Sequence, residues 1–356
     1  MRNLVLIILL SILFSSCDKI IGDNAKQKAR GESGEIILVL DSARWAENIG
    51  QELRITFRET VDGLPRDEPM FDLRHIVPLT FKGILRNAKN LVLVVPVNDK
   101  NTENSRITNL FTNKSIDSLR SNEDIFFIRR KDLFAKGQEV VFLINHNDED
   151  FAIKINENKE YIRSFFNKVE EERALKEMYS VRQEKLISNR ILEDYKFELR
   201  VPYSYKIASS SNDFIWLRQP GQRIDNNIFV AFKDYTDTLD FQNDRIIEWR
   251  NQICELNLYG DPENPNSYIV TESIIPPIIT AVNFNGNYSK KLIGLWKTNN
   301  ISMGGPFVAY VLVDESLNRM YYIEGFLYSP GVDQRELVRE LSIILRTFKT
   351  QGQISS

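Results

Sequence analysis

The sequence predicts an α+β protein built from two packed sheet-and-helix units that are joined by a long helix. In the first half, apolar runs of strand length alternate with segments of helical periodicity, which is typical of a sheet covered by helices. In the second half, alternating runs follow one another and end in an amphipathic segment, which indicates an antiparallel meander closed by a C-terminal helix. Between the halves, residues 138–201 contain neither Gly nor Pro.

The first unit is predicted over 36–155 and begins with a buried strand. Glu35 to Leu40 is an apolar run of strand length that Asp41 closes. The segment 42–60 follows as a helix, because its large apolar residues recur every four positions and share one face. Two further buried strands are predicted over 91–97 and 139–145, with a shorter strand over 70–77 and helices over 81–87 and 105–119.

The connecting helix is predicted over 156–192, where charged residues are dense and the apolar ones fall on one side. The second unit, 193–350, is predicted to hold strands over 195–207, 214–217, 228–235, 291–297, 306–314 and 319–329, and helices over 242–256 and 337–348. Asp333 with Glu336 resembles a capping box at the start of the last helix.

The N-terminus predicts export and lipidation. A basic tip precedes an apolar run over 4–14 that is shorter than the roughly 20 residues of a spanning helix. Ser15 and Ser16 then precede Cys17, which resembles a bacterial lipobox, where the cysteine is acylated and becomes the new N-terminus. We therefore predict a signal peptide over 1–16, lipidation of Cys17 by fatty acids such as palmitate, and a polar tether over 17–35. An ordinary cleaved signal peptide or an uncleaved anchor is the alternative.

The net charge and the cysteine content limit which partners and which covalent links the sequence predicts. The formal net charge is −3 and both signs are interspersed, so no basic block predicts binding to nucleic acid or to an anionic membrane face. The lipid would therefore supply the membrane attachment. Cys17 and Cys254 are the only cysteines, so acylation of the first excludes an intramolecular disulfide. A single acidic residue, Asp18, follows Cys17, which favours the periplasmic face of the outer membrane over surface export.

Catalytic and metal-binding signatures are missing from the sequence. It contains no nucleophile elbow, Walker loop or Cys-x-x-Cys motif, and the two histidines, His75 and His146, lack a metal-ligand spacing. We predict no catalytic residue, metal or cofactor, and Cys254 is expected to be a buried hydrophobe. The alternative is an unrecognised periplasmic hydrolase that uses the acidic residues Asp41, Asp148 and Asp150.

Three short triplets resemble the acceptor pattern of O-glycosylation in the periplasm of Bacteroidota. Each has Asp, then Ser or Thr, then a small or aliphatic residue. The candidate acceptors are Ser42, Ser118 and Thr238. Loose triplets of this kind also arise by chance in a chain of this length.

The second half carries the motifs Gly294-Leu-Trp296, Met303-Gly-Gly-Pro-Phe307 and Tyr322-Ile-Glu-Gly-Phe326. With these motifs, the chain resembles an uncharacterised family of Bacteroidota lipoproteins that is known only as a domain of unknown function. The resemblance implies an envelope lipoprotein and brings no activity or ligand with it. The order of a meander closed by a helix is also similar to the PsbP/Mog1-like folds, as an analogy of fold alone.

One of these motifs is a candidate recognition surface. Large apolar groups stand there beside glycines that let a partner approach the backbone, and the set is Trp296, Met303, Gly304, Gly305 and Phe307. The alternative is plain hairpin packing, with both aromatic rings in the core. Together these observations predict a lipid-anchored, non-catalytic binding or scaffolding module of the cell envelope, with an envelope protein or a glycan as partner.

Overall fold

A computed structural model gives the fold and describes residues 26–355 apart from positions 100, 181, 262 and 265. The predicted signal peptide, Cys17 and the tether up to residue 25 lie outside the described residues. The chain divides into two compact units, one formed up to Glu59 and by Pro69–Glu170, the other by Thr60–Glu68 and from Glu171 onward. The predicted α+β class is confirmed in both units.

The first unit has a five-stranded sheet in the order β2-β1-β3-β5-β4, in which only the edge strand β4 is antiparallel. Its strands are β1 Glu35–Val39, β2 Asp72–Ile76, β3 Asn90–Pro96, β4 Phe127–Lys131 and β5 Glu139–Asn145. Its helices are α1 Ser42–Ala46, α2 Asn48–Phe57, α3 Ser105–Thr108, α4 Asn113–Arg120, α5 Asp148–Glu157 and the first part of α6 Lys159–Ser180.

Both faces of this sheet are covered, which explains the continuous apolar strands. Successive side chains point to opposite faces, so Leu38 joins one core with Phe57 and Phe166, while Ile37 joins the other with Phe142. Every residue of β3 and β5 is buried. The strands predicted over 91–97 and 139–145 are therefore confirmed as the interior of the sheet.

The second unit has an eight-stranded sheet in the order β10-β11-β12-β13-β8-β7-β6, with β9 paired to β11. All pairings in it are antiparallel. Its strands are β6 Lys206–Ser210, β7 Phe214–Pro220, β8 Asp225–Asp234, β9 Ile269–Thr271, β10 Ile278–Phe284, β11 Asn287–Thr298, β12 Gly304–Asp314 and β13 Arg319–Tyr328. Its helices are the second part of α6, then α7 Lys185–Tyr195, α8 Asn243–Asn257, α9 Arg335–Leu345 and α10 Gln351–Ser355.

The meander is packed between helices on its two faces. On one face, Leu341 and Ile344 of α9 lie in one core with Tyr321 of β13. On the other face, Ile246 and Cys254 of α8 lie in a second core with strand residues such as Phe307. The predicted closing helix is thus confirmed as α9.

The segment predicted as one helix over 156–192 forms parts of three helices, of which α6 is the longest. The chain leaves helical geometry after Ser180 because its backbone pairs elsewhere in the second unit. Gln183 forms an isolated bridge with Pro202, and the amide of Glu184 donates to the carbonyl of Val201 at 3.0 Å. Helical periodicity does not record these long-range partners.

The predicted capping box at the last helix is wrong. Asp333 has a side chain that is 92% exposed, and the N-cap residue Gln334 makes no side-chain capping bond. The carboxylate of Glu68 caps the helix instead, since it accepts from the amides of Gln334 at 2.7 Å and Arg335 at 2.8 Å. A negative charge at a helix N-terminus is stabilising, and Glu68 provides it from a distant part of the chain.

Candidate functional site

Three carboxylates meet one guanidinium at the carboxyl edge of the first sheet. Asp41 follows β1, Asp99 follows β3, and Asp148 starts α5 after β5. Arg44 in α1 contacts all three at 2.8 Å, through Nη1 to Asp41 and Asp99 and through Nε to Asp148. The outer edge of a sheet at the switch between β1 and β3 is where ligands bind in many open α/β sheets.

Amide side chains complete this acidic cluster. Asn104 donates to Asp99 at 3.0 Å, and Asn145 donates to Asp148 at 2.6 Å. Burial by itself would raise the pKa of Asp41, but hydrogen bonds and the charge of Arg44 lower that pKa overall. The pKa of Asp99 is lowered in the same way. These two carboxylates are therefore ionised at neutral pH, which is unsuited to a general acid.

Of the three acidic residues predicted for a hydrolase, the structure brings two together. Asp41 and Asp148 share Arg44, whereas Asp150 is bonded to Asn147 at the start of α5. In the described part of the chain, no group of three or more His, Cys, Asp or Glu side chains is arranged to hold a metal ion.

The two histidines are occupied by structural contacts. His75 bonds the carbonyl of Leu40 at 2.8 Å through Nε2 and stacks on Trp45 with ring centroids 4.3 Å apart. His146 bonds the carbonyl of Leu119 at 2.8 Å through Nε2.

A pocket of about 620 Å³ opens at one end of the meander in the second unit. We call it the turn pocket. It lies between the β10–β11 turn, the β12–β13 turn and α10, and its lining includes Tyr235, Phe241, Asn287, Tyr288, Asp314, Glu315, Ser316 and Gln353. Its volume falls in the range of roughly 300–1,000 Å³ that is typical of small-molecule sites.

One wall of the turn pocket is a series of aromatic rings. Phe241 contacts Tyr235 with centroids 6.2 Å apart and Tyr288 with centroids 5.6 Å apart, at steep interplanar angles. Tyr288 is 60% exposed, so its ring is accessible to a ligand. The exposed ring of Tyr288 offers an apolar surface beside the polar groups of the lining.

Asp314 links the β12–β13 turn to α10 in the lining of the turn pocket. Its Oδ1 accepts from the Ser316 amide at 2.9 Å and from the Ser316 hydroxyl at 2.6 Å, while Oδ2 accepts from the Gly352 amide at 3.2 Å. Burial would raise the pKa of Asp314, but these hydrogen bonds lower it overall. No Lys, Arg or His is among the described residues that line the pocket.

The predicted recognition surface lies mostly in the core. Trp296 is 3% exposed and its Nε1 donates to the carbonyl of Leu327 at 3.1 Å, while Phe307 is 1% exposed. Gly305 is buried and Met303 is half-buried, whereas Gly304 is exposed. This burial agrees with the alternative of hairpin packing.

The sequence analysis missed a buried ion pair at the centre of the same motifs. Arg250 and Glu324 are fully buried and form two hydrogen bonds, Nε to Oε2 at 2.8 Å and Nη2 to Oε1 at 2.7 Å. Tyr322 and Thr271 add bonds at 2.7 and 3.1 Å. The available signal was a glutamate inside an otherwise apolar run and an arginine one helical turn from Ile246 and Cys254.

Cys254 lies in this buried surrounding. Burial raises the pKa of its thiol to about 12, although the charge of Arg250 works in the opposite direction. A thiol with a pKa this high is protonated at neutral pH and is a poor nucleophile. Its burial fits the expectation of a small apolar core residue.

The three candidate glycosylation acceptors differ in exposure. Ser42 and Thr238 are exposed, and Ser118 is half-buried. The aspartate before each exposed acceptor caps a helical turn: Asp41 accepts from the Arg44 amide, and Asp237 accepts from the Leu239 amide. O-glycosylation at these residues stays a prediction.

Two models of known protein families match successive parts of the chain. Residues 29–179 match the model of a domain of unknown function, DUF8532, and residues 184–347 match that of another, DUF4837. Two successive parts of the chain are thus similar to two different domains of unknown function. No curated protein matches the sequence.

Solved structures give weak likenesses. The Ran-binding protein Mog1p of Saccharomyces cerevisiae is 8% identical over 44% of this chain and 90% of its own, with a TM-score of 0.30. The lipid transfer and protein localization domain of human StarD13 is 10% identical over 46% of this chain and 95% of its own, with a TM-score of 0.22. A protein from Bacteroides thetaiotaomicron is 10% identical over 43% of this chain and 44% of its own, with a TM-score of 0.20. Similarity at this level carries neither a ligand nor an activity over to this chain.

None of the helices in the described ranges is both long and apolar enough to cross a bilayer.

Proposed function

We propose that the chain is a lipid-anchored binding module of the cell envelope that recognises its ligand at the turn pocket. One observation carries the binding role. The turn pocket offers an accessible ring and several hydrogen-bonding groups around an anchored carboxylate, Asp314. A few polar groups beside an aromatic wall are typical of recognition sites.

Tethering is proposed from the N-terminal sequence. An apolar run of sub-membrane length before Ser15, Ser16 and Cys17 supports acylation of Cys17 and attachment to a membrane, with the periplasmic face of the outer membrane as the expected location. Several acyl chains hold a protein firmly, because each buried methylene contributes about 0.8 kcal/mol. The tether predicted over 17–35 is shorter in the structure, since Lys28 pairs with Lys136 and Arg30 pairs with Ala88 in the first unit. The polar residues between Cys17 and Lys28 would then link the folded chain to the membrane surface.

Metabolic labelling with an alkyne fatty acid tests the tether. Cells that produce wild-type protein should yield a labelled band in the membrane fraction, whereas Cys17→Ser should lose the label and leave that fraction. Cys254→Ser is the matched control and should keep the label, because its thiol is buried. Equal label on wild type and Cys17→Ser would overturn the proposed anchor.

The alternative is a hydrolase at the acidic cluster, and the convergence of Asp41 and Asp148 on Arg44 is the observation in its favour. Against it, Arg44 neutralises part of the charge and the pKa of Asp41 is lowered rather than raised. If the alternative holds, the protein should hydrolyse an envelope substrate, and Asp148→Asn should abolish that activity while the chain stays folded. Activity that survives Asp148→Asn would exclude this site.

A further inference from the structure

Charge restricts what the turn pocket can accept. Asp314 and Glu315 are acidic, and no positively charged side chain is among the described residues of the lining. The lowered pKa of Asp314 keeps its charge at neutral pH. Like charges repel, most strongly where water is partly excluded, so phosphorylated, sulfated and carboxylated ligands are disfavoured. The remaining classes are neutral and cationic molecules.

The polar groups of the lining suit a ligand that has many hydroxyls. They come from both hairpin turns and from α10, and they combine carboxylate, amide and hydroxyl side chains such as Glu315, Asn287 and Ser316. Carboxylates accept hydrogen bonds, and amides both donate and accept them. Hydrogen bonds hold α10 to both turns. The amide of Gly352 donates to Asp314, and the side chain of Gln353 donates to the carbonyl of Asn285 at 2.8 Å.

The aromatic rings of the pocket favour a neutral ligand over a cationic one. A quaternary ammonium is recognised by rings whose faces surround it. Here Phe241 contacts the rings of Tyr235 and Tyr288, and of these three rings Tyr288 is exposed whereas the other two are half-buried, so one ring rather than several surrounding ones is open to a ligand. The negative face of an exposed ring attracts the slightly positive C–H groups on the flat side of a pyranose. An exposed ring beside hydroxyl-binding groups therefore matches a sugar.

We infer that the turn pocket binds a neutral saccharide, with Tyr288 as the stacking platform and the two hairpin turns as the source of hydrogen bonds. This inference rests on the proposed binding function and names the ligand class of that site. One sugar ring would cover Tyr288, and the pocket volume of about 620 Å³ leaves room for a neighbouring ring.

The test uses the full chain purified in a detergent whose headgroup is neither a sugar nor choline. Maltotriose and chitotriose are the saccharide probes, choline is the cationic probe, and isothermal titration calorimetry gives the affinities. At least one trisaccharide should bind. Tyr288→Ala should weaken it by about tenfold or more, whereas Tyr288→Phe should keep most of the affinity because it keeps the ring.

Tyr161→Ala is the matched control. Tyr161 is 56% exposed and contacts the ring of Phe127, but it belongs to the first unit. It should leave the affinity unchanged, and unfolding midpoints will show that each variant is folded. Binding of neither trisaccharide, or equal weakening by Tyr161→Ala, would overturn the inference. If choline binds and neither trisaccharide does, the saccharide inference is overturned, whereas the proposed binding function is retained. Acylation plays no part in this titration. The result of the titration therefore does not depend on the result of the fatty-acid labelling that tests the membrane anchor.

Discussion

The buried ion pair of Arg250 and Glu324 allows a sharp prediction on stability. Both side chains are fully buried, and the guanidinium also lies 4.1 Å from the ring centroid of Phe307. Glu324→Gln keeps the shape of the side chain but removes the negative charge. Arg250 would then be a buried cation without its counter-charge, since the side-chain carbonyl of the new amide and the Thr271 hydroxyl that remain as acceptors are both neutral. The structure thus predicts a large destabilisation of the second unit.

The size of the effect follows from the burial. Breaking a fully buried pair by removing one partner costs about 3–5 kcal/mol. For a unit of this size class, each kcal/mol lowers the melting temperature by about 2–4 °C, so the expected drop is about 6–20 °C. The double variant Arg250→Met with Glu324→Leu should recover much of this loss, because apolar replacements of a buried pair are often neutral or stabilising.

Chemical unfolding followed by circular dichroism measures these differences. The control is Asp194→Asn, which breaks an exposed pair with Arg190 at 3.2 Å on one helix and should cost less than about 1 kcal/mol. If the free energy of unfolding of Glu324→Gln lies within about 1 kcal/mol of the wild-type value, the buried pair does not stabilise the second unit as predicted. A double variant that is less stable than Glu324→Gln would contradict the charge argument as well.

Three further outcomes are expected. Glu68→Ala should cost about 1–2 kcal/mol in urea unfolding, since it removes the acceptor of the first amides of α9, and an unchanged midpoint would contradict this capping. Because the folded-state pKa of Asp41 is lowered by Arg44, its contribution is complete above the unfolded pKa of about 3.9 and is lost as the pH falls through the folded value; Asp41→Asn should therefore flatten the acid limb of stability against pH, and an unchanged limb would refute it. Trp296→Ala should cost about 3–5 kcal/mol because the ring is buried, whereas an unchanged melting temperature would favour the predicted recognition surface over hairpin packing.

The interior of the first sheet was predictable because its physical cause is local. Strands that are covered on both faces are apolar along their length, and the sequence itself meets this condition over 91–97 and over 140–144, with the polar residues Glu139 and Asn145 at the two ends of the second strand. The alternation of apolar and polar residues predicted strands less reliably. Phe197, Leu199 and Val201 alternate with polar residues, and this pattern predicted a strand. All three side chains are buried, yet the segment forms isolated bridges instead of a strand. Apolar alternation specifies which side chains are buried, and hydrogen-bond partners decide whether a strand forms.

The features that sequence reasoning missed depend on distant partners. Glu68 caps a helix that begins more than 260 positions later, with a sequence separation of 266 from Gln334. The turn pocket is assembled from Tyr235, Phe241, two hairpin turns and α10, which no local pattern connects. By contrast, the convergence of Asp41 and Asp148 could be expected from parallel strands, whose carboxyl ends share one edge.

Photo-crosslinking in living cells tests the central claim, binding at the turn pocket, most directly. A photoreactive phenylalanine analogue replaces Tyr288 in one strain and the matched Tyr161 in another, both in otherwise wild-type protein. The account predicts an envelope-derived adduct at position 288 that is absent at 161 and that mass spectrometry identifies as a saccharide. No adduct at 288, or the same adducts at both positions, would contradict the claim that this pocket is the binding site.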